Sequence, residues 1–519
     1  MNYSEVHTQK VYDINGKNDK LYQRKRFLGF TLTQIAGLVI AAGIFIVMTF
    51  FLPPPVGLST PGWAAVKIML MMIVIWLTDA LPSGVCAFFM VNLLALTPAT
   101  DYGTKITPTT KIVNALAGFG QKETWLIAVA FVLGMGVIKS GLGTRITYKI
   151  MSLPVFAKSF KALLLGFSFV QVILGPFVPS STAKAGIFIP LAQGILTTLG
   201  IKPYTETGKK SNNASALIIH TAWMTNTAGS MFATGTAGIV TGLALMAALT
   251  GATISWMNYF IAMMPLILCI IVGSWFCMIK IFPPEIAEIP GGAEEAKKRY
   301  EELGPLTAVE KRSAIIFLVT LLMWIFEKTI HIDSTTTAMV ACFLLLAPVI
   351  GVGMKDKDAL KSIGWNAVLL LAAGLSLSAA LSKTGAAVWL GKAIFGGLGI
   401  ETWPPLFIIA FYTAFMFITH LGFAGNTGHK LAMLPLVLAS ATAFGLNPLW
   451  VGLPACLAST NCFILHTMSP PNTMAFGTGY FPLNDMIKSG IAVTILSFVV
   501  IVFFAMIWFP IVGIPFYLD

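Results

Sequence analysis

The sequence predicts an all-α polytopic membrane protein, and three observations carry that prediction. Hydrophobic residues make up 56% of the chain and charged residues 10%, with a mean hydropathy of +0.83, whereas soluble domains are roughly a quarter charged. Apolar runs recur at 31–52, 64–78, 124–139, 254–279, 312–326, 336–351, 366–382 and 490–512, approaching the ~20 residues that carry a helix across a bilayer. The runs are continuous rather than alternating, which excludes a transmembrane barrel.

Ahead of the first run lies a polar leader with Lys10, Lys17, Lys20, Arg24, Lys25 and Arg26. It is too long for a secretory signal, and no A-x-A site follows. Residues 1–28 therefore read as a cytoplasmic tail under the positive-inside rule. Residues 52–63 carry no Lys or Arg and read as external. The first transmembrane helix and the first of two repeats fill 29–282. The charged stretch PPEIAEIPGGAEEAKKRYEELGPLTA marks 283–308 as a cytoplasmic linker with a short surface helix, and the second repeat fills 309–519. Nothing basic follows Lys488, which places the C-terminus outside and makes the number of spans odd. The expected home is the cell (inner) membrane.

The net charge of +12 is scattered along the loops without an RNA- or DNA-binding motif. It speaks for a membrane surface and an anionic cargo, and against a nucleic-acid partner. Cys86, Cys269, Cys277, Cys342, Cys456 and Cys462 fall in or beside apolar runs with no CxxC pair, and read as packing residues. Neither a metal site nor a cofactor is expected.

The two halves repeat each other. ETWLIAVAFVLGMGVIKSGLGTRI, from Glu123, parallels IGWNAVLLLAAGLSLSAALSKTGAAVWL, from Ile363, matching Trp125 with Trp365 and Gly141 with Gly385. SSTAKAGIFIP (180–190) aligns with GNTGHKLAMLP (425–435) without a gap, at a constant offset of 245 residues. Each block ends an apolar stretch with a polar triplet, sets a basic residue two places after the threonine, and reaches a proline ten residues from its start. A second interruption follows each triplet: TNTAGSMFATGTAG (225–238) and LHTMSPPNTMAFGTGYF (465–481). Pro470-Pro471 removes amide donors and clashes with the preceding turn. Broken backbone at membrane depth is tolerated where it is buried in protein or lines a cavity, and paired breaks in two halves point to a transporter binding site.

The triplets predict two re-entrant hairpins, at about 160–198 and 405–444, each a pair of short apolar arms around a polar tip. At such a tip the second arm begins with amide donors and a positive dipole end, which suits an anion. Ser180, Ser181, Thr182, Asn426 and Thr427 add neutral donors for a carboxylate, and equally oxygens for a sodium ion. Lys184 and His429 stand at equivalent places in the two blocks. A charge deep in a bilayer costs ~2.5–3.5 kcal/mol and usually faces a cavity. The structural alternatives are a snorkelling lysine and a histidine bonded to a backbone carbonyl. Lys430 shares the neighbourhood without an assigned role. An enzyme is the poorer reading: His466 lies near Ser469, and Asp79 sits in WLTDALP, but GxSxG, HExxH and GxxxxGK[ST] are absent from the sequence. The paired discontinuities favour alternating access over an open channel.

With those residues in view, the chain resembles the divalent anion:sodium symporter (DASS) superfamily over nearly all its length after the N-terminal tail. WLTDALP (76–82) is similar to the family's W-x-T-E-A-x-P, and KSGLGTRI (139–146) to its T-G-L-G-x-R-I. PSSTAKAG (179–186) and GNTGHK (425–430) occupy the places of its two Ser-Asn-Thr motifs, and SPPNTMAFGTGYF (469–481) resembles its T-P-P-N-A segment. The resemblance implies about eleven spanning helices, two opposed re-entrant hairpins in inverted repeats, and a homodimer working by an elevator mechanism. It also implies a site for one di- or tricarboxylate, formed by Ser180, Ser181 and Thr182, by Gly425, Asn426 and Thr427, and by Thr234, Pro471, Asn472 and Thr473.

Departures from the family pattern bear on coupling. The first triplet is Ser-Ser-Thr, with no Asn at Ser181, and in the second Gly425 brings no side-chain oxygen; both losses weaken a sodium site. Lys184 and His429 correspond to the basic residues of the citrate/succinate and 2-oxoglutarate/malate antiporter branch, with T-A-R and T-A-H. A fixed positive charge there replaces the mobile cation in balancing a dianion, and leaves the empty carrier reluctant to reorient. The expected function is sodium-independent exchange of one carboxylate for another, with no metal. The competing readings are a sodium-coupled dicarboxylate symporter and a carrier of sulfate or a sulfonate.

Overall fold

The computed structural model describes residues 30–157, 159–287, 292–461 and 463–517. The basic tail 1–28 and Cys462 lie outside them. Every regular element among the described residues is helical. The chain begins with α1 (Leu32–Phe50), whose N-cap Thr31 exchanges two bonds with Gln34. α2 (Thr60–Leu77) carries Pro61 in its first turn, where the missing amide costs nothing, and α3 (Ser83–Leu96) follows. α4 (Lys122–Ser140) stops at Gly141, whose φ of +80° favours glycine, and the chain turns into the short α5 (Leu142–Met151).

A hairpin comes next, with arms α6 (Phe160–Leu174) and α7 (Ser181–Thr198). An interrupted pair, α8 (Asn212–Thr227) and α9 (Ala237–Thr250), leads into α10 (Trp256–Ile281). The linker contributes α11 (Gly292–Glu302), which packs on α5. Then the series runs again: α12 (Ala308–Ile325), α13 (Ser334–Leu346), α14 (Trp365–Lys383), α15 (Ala386–Phe395), hairpin arms α16 (Pro405–His420) and α17 (Asn426–Ala443), the interrupted pair α18 (Pro448–Thr460) and α19 (Pro470–Gly477), and finally α20 (Leu483–Ile511).

The two series correspond closely. α4 and α14 both have 19 residues, and Gly141 and Gly385, with φ of +80° and +72°, turn each into a ten-residue helix. α7 and α17 both have 18 residues and an internal proline, Pro190 and Pro435. One expected match is corrected. Trp125 is the fourth residue of α4 whereas Trp365 opens α14, so the tryptophans are about a turn out of register with the glycines. The glycines set the repeat because a chain terminator fixes helix register and a bulky side chain does not.

Packing crosses between the halves in reciprocal pairs. α7 lies on α8 of its own half and on α19 of the other, while α17 lies on α18 of its own half and on α9 of the other. α3 packs on α14, α13 on α4, and α10 on α20. This exchange brings both hairpin tips and both interruptions to one place.

The distribution of polarity is that of a membrane protein. On α20 the residues Ile491, Ile495, Val499, Phe503, Ile507 and Ile511, four apart, are each 46–70% exposed. Such a stripe suits hydrocarbon and not water. Six described helices are long and apolar enough to span a bilayer, and others are shorter or interrupted. Inside, Lys184, Asn213, His220, His429, Lys430 and Asn472 are fully buried.

Candidate functional site

At the first tip, Ser180 is the N-cap of α7 and accepts the Ala183 amide at 3.1 Å, which leaves its own hydroxyl proton to donate. At the second tip the N-cap is Gly425, at φ +106°, and supplies no capping side chain to α17. An L side chain at that φ is strained, which explains glycine in place of a hydroxyl residue. The first-turn amides of α17 are thus not capped by a side chain of the N-cap residue.

The two interruptions touch directly: Thr227 Oγ1, at the end of α8, donates to Asn461 Oδ1, just past α18, at 3.2 Å. Lys184 points into the first interruption, where its ammonium donates to the Gly235 carbonyl at 3.2 Å. Glycine makes this approach possible, since a Cβ at Gly229 would meet Lys184 Nζ at 2.5 Å and one at Gly235 would meet Gly229 O at 2.0 Å. Lys430 reaches the same interruption from the other half, within 2.9 Å of where a Cβ of Gly238 would stand. His429 is held at both nitrogens, Nδ1 with Ser459 Oγ at 2.7 Å and Nε2 with Thr419 Oγ1 at 2.9 Å.

The basic groups gather here without buried acids beside them. Among the described residues the buried carboxylates are Glu310 and Asp485. Glu310 takes a bidentate bond from Arg145, at 2.7 and 3.1 Å, and Asp485 pairs with Lys210 at 2.8 Å and with Ser215 at 2.7 Å.

A cleft of about 670 Å³ opens in front of the tips, lined by Thr182, Ile189, Pro190 and Gln193 of α7, Ala424 and Gly425 of the second tip, Thr467, and Pro470, Thr473, Met474, Gly477 and Thr478 along α19. α7 packs along α19, and the Thr205 amide, in the turn that follows α7, donates to Gly479 O just past α19 at 3.1 Å. Hydroxyls, one amide and helix ends line this cleft, and no ionised side chain does.

The expected site residues divide accordingly. Thr182, Gly425 and Thr473 line the cleft, and Ser180, Ser181, Asn426 and Thr427 stand half-buried at the tips. Lys184 and His429 lie fully buried behind the tips. Thr234, Asn472 and Pro471 face elsewhere. Thr234 Oγ1 accepts the Trp256 indole N–H at 3.1 Å and contacts Pro176 O at 3.5 Å. Asn472 Nδ2 donates to Leu465 O at 3.1 Å and closes the second interruption. Pro471 is buried. Sequence reasoning passed over Gln193, Thr467 and Thr478. Gln193 was legible from Thr182, because residues 182, 189 and 193 recur on one helical face.

The fold and this arrangement of tips define a polytopic transporter. The family model described as the sodium:sulfate symporter transmembrane region matches residues 32–514, and the chain belongs to that family, within the DASS superfamily. It is a transporter and not an enzyme. Among the relatives, a chloroplastic dicarboxylate transporter of Arabidopsis thaliana, named 2.2, is 30% identical over 90% of this chain and 83% of its own. The L-tartrate/succinate antiporter of Escherichia coli is 27% identical over 89% of this chain and 95% of its own. Of solved structures, the YdaH transporter of Alcanivorax borkumensis aligns with a TM-score of 0.51 at 13% identity, covering 88% of this chain and 99% of that one, a likeness of fold alone.

Proposed function

We propose that this protein exchanges di- or tricarboxylates across the cell (inner) membrane, one anion for another, without sodium. The observation that carries the reading is the ammonium of Lys184, buried on the Gly235 carbonyl of an interrupted helix, with the buried carboxylates of the described residues engaged elsewhere. A fixed cation on an unwound carbonyl does what a bound metal cation would do there, and the anion completes the charge balance. The substrate carboxylates are assigned to the Thr182 hydroxyl and to the amides that begin α7 and α17, while Thr473, whose hydroxyl donates to His466 O at 2.8 Å, lines the facing wall. Ser180, Ser181, Asn426 and Thr427 complete the tips, and Lys184 and His429 supply counter-charge from behind. The names of the relatives, for dicarboxylates and for tartrate/succinate exchange, agree with a carboxylate cargo.

In this reading the hairpins are re-entrant, the halves are inverted repeats among eleven spans, and the protein works as a homodimer. The hairpins move together as an elevator, with the N-terminus cytoplasmic and the C-terminus outside. An empty carrier with a permanent internal charge reorients poorly, which enforces exchange. The test is uptake of labelled succinate into proteoliposomes, empty or loaded with unlabelled dicarboxylate, with and without a sodium gradient. Uptake confined to loaded vesicles and indifferent to sodium is expected. Sodium-driven uptake into empty vesicles would overturn the reading and favour the symporter, and uptake of sulfate alone would change the cargo.

A further inference from the structure

His420, the last residue of α16, takes no part in the scheme above, although it is fully buried. Neither ring nitrogen completes a hydrogen bond of good geometry; the Met468 backbone in the second interruption faces the ring. The ring lies flat on that of His429, with centroids 4.4 Å apart and planes 3° from parallel. His429 connects in turn to the tip, since Ser459 Oγ bonds His429 Nδ1 at 2.7 Å and reaches Asn426 O at 3.5 Å. Two imidazolium rings stacked this closely in a buried site repel strongly, so the pair titrates as one unit and holds a single added proton.

We propose that His420 and His429 form a one-proton site that loads when an anion occupies the hairpin tips, so that a proton crosses with the anion. The proposal rests on the carboxylate reading above. The proton comes from water as the anion binds, resides on the pair, and returns to water as the anion leaves, so atoms and charge balance. Exchange of two unlike anions then moves net protons whenever they load the pair unequally. The charged group facing the pair is Lys430 on α17; Cys456 stands on α18, which packs on α16 and α17, and His466 stands in the second interruption. Lys67, Lys383 and Lys392 stand on α2, α14 and α15, which pack on α17, and Asp79, Glu401 and Asp485 stand at the ends of α2, α16 and α20. A dianion at the tips reverses the field that Lys430 sets on the pair.

Calorimetry of succinate binding to the purified protein, in two buffers of different ionisation enthalpy, counts protons taken up per anion. Uptake approaching one proton near neutral pH is expected, falling at least threefold in H420Q with binding retained; H420N serves if H420Q does not fold. Zero uptake, or undiminished uptake in the variant, overturns the proposal. Histidine-selective 15N NMR of the anion-free protein tests the pair separately. The two rings are expected to take up no more than one proton between them down to about pH 5, the lower edge of the usual histidine range. Two independent titrations to full imidazolium overturn the proposal whether or not a carboxylate binds. Absence of binding for every carboxylate, with the rings coupled, refutes the exchange reading and with it the proton–anion linkage.

Discussion

Replacing Lys184 with methionine removes the ammonium while keeping the length of the side chain. The native group is fully buried, with a neutral carbonyl as its bonded partner. In the empty carrier, exchanging a buried ion for an apolar side chain is often neutral or stabilising by about 1–4 kcal/mol, offset by the ~1.5–3 kcal/mol of a charged hydrogen bond. The K184M protein should therefore melt close to wild type or slightly above it. In the loaded carrier the balance differs. Thr182 and Lys184, two residues apart, project from opposite sides of α7, so a carboxylate on the Thr182 hydroxyl lies on the order of 10 Å from the ammonium by helix geometry. At an effective dielectric of about 20, that separation is worth about 1.7 kcal/mol per unit charge, on the order of tenfold in affinity. Thermal melts with and without succinate, together with calorimetry, separate the two effects: an unchanged empty melting point and a reduced ligand shift are expected. A K184M carrier that binds succinate within about threefold of wild type would refute the counter-charge role. One that loses its fold would instead make Lys184 a structural pin of the first interruption.

Other substitutions probe other parts of the site. G425A meets no neighbour within 4 Å of its Cβ but forces an L residue to φ +106°, a strain of roughly 1–2 kcal/mol; counterflow should slow about tenfold, as vesicle exchange will show. E310Q leaves the Arg145 guanidinium buried without its carboxylate, which costs about 3–5 kcal/mol. Its melting temperature should fall well below wild type, and R145M/E310Q should recover part of the loss. T227V removes the bond between the interruptions and leaves the Asn461 oxygen unsatisfied, a cost of about 1–3 kcal/mol visible in the same melts. For pH dependence, the bond from Lys139 holds the Asp358 carboxyl below its usual range. A depressed carboxylate stabilises above its unfolded value and loses that effect as pH falls through the folded one. D358N and wild type should thus keep the same stability difference from pH 5 to 8, with the gap closing only below about pH 4.

How much of this was legible in the sequence follows from the range over which each signal acts. Hydropathy and helix terminators act within one segment. They marked the apolar spans, the glycine turns at 141 and 385, the offset of 245 residues between the two tips, and the Pro470-Pro471 interruption. The partners of individual side chains depend on which distant segment packs against them, and that only the tertiary structure decided. Lys184 finds Gly235 because α7 lies on α8 beside the first interruption; Thr227 finds Asn461 because the halves interlock. The same packing turned Thr234 onto Trp256 and Asn472 onto Leu465, away from the cleft where their sequence neighbourhood had suggested them. It also laid His420 on His429 across the turn of a hairpin. A residue's chemistry is written in the chain, but its direction is set by contacts between elements that local periodicity does not encode.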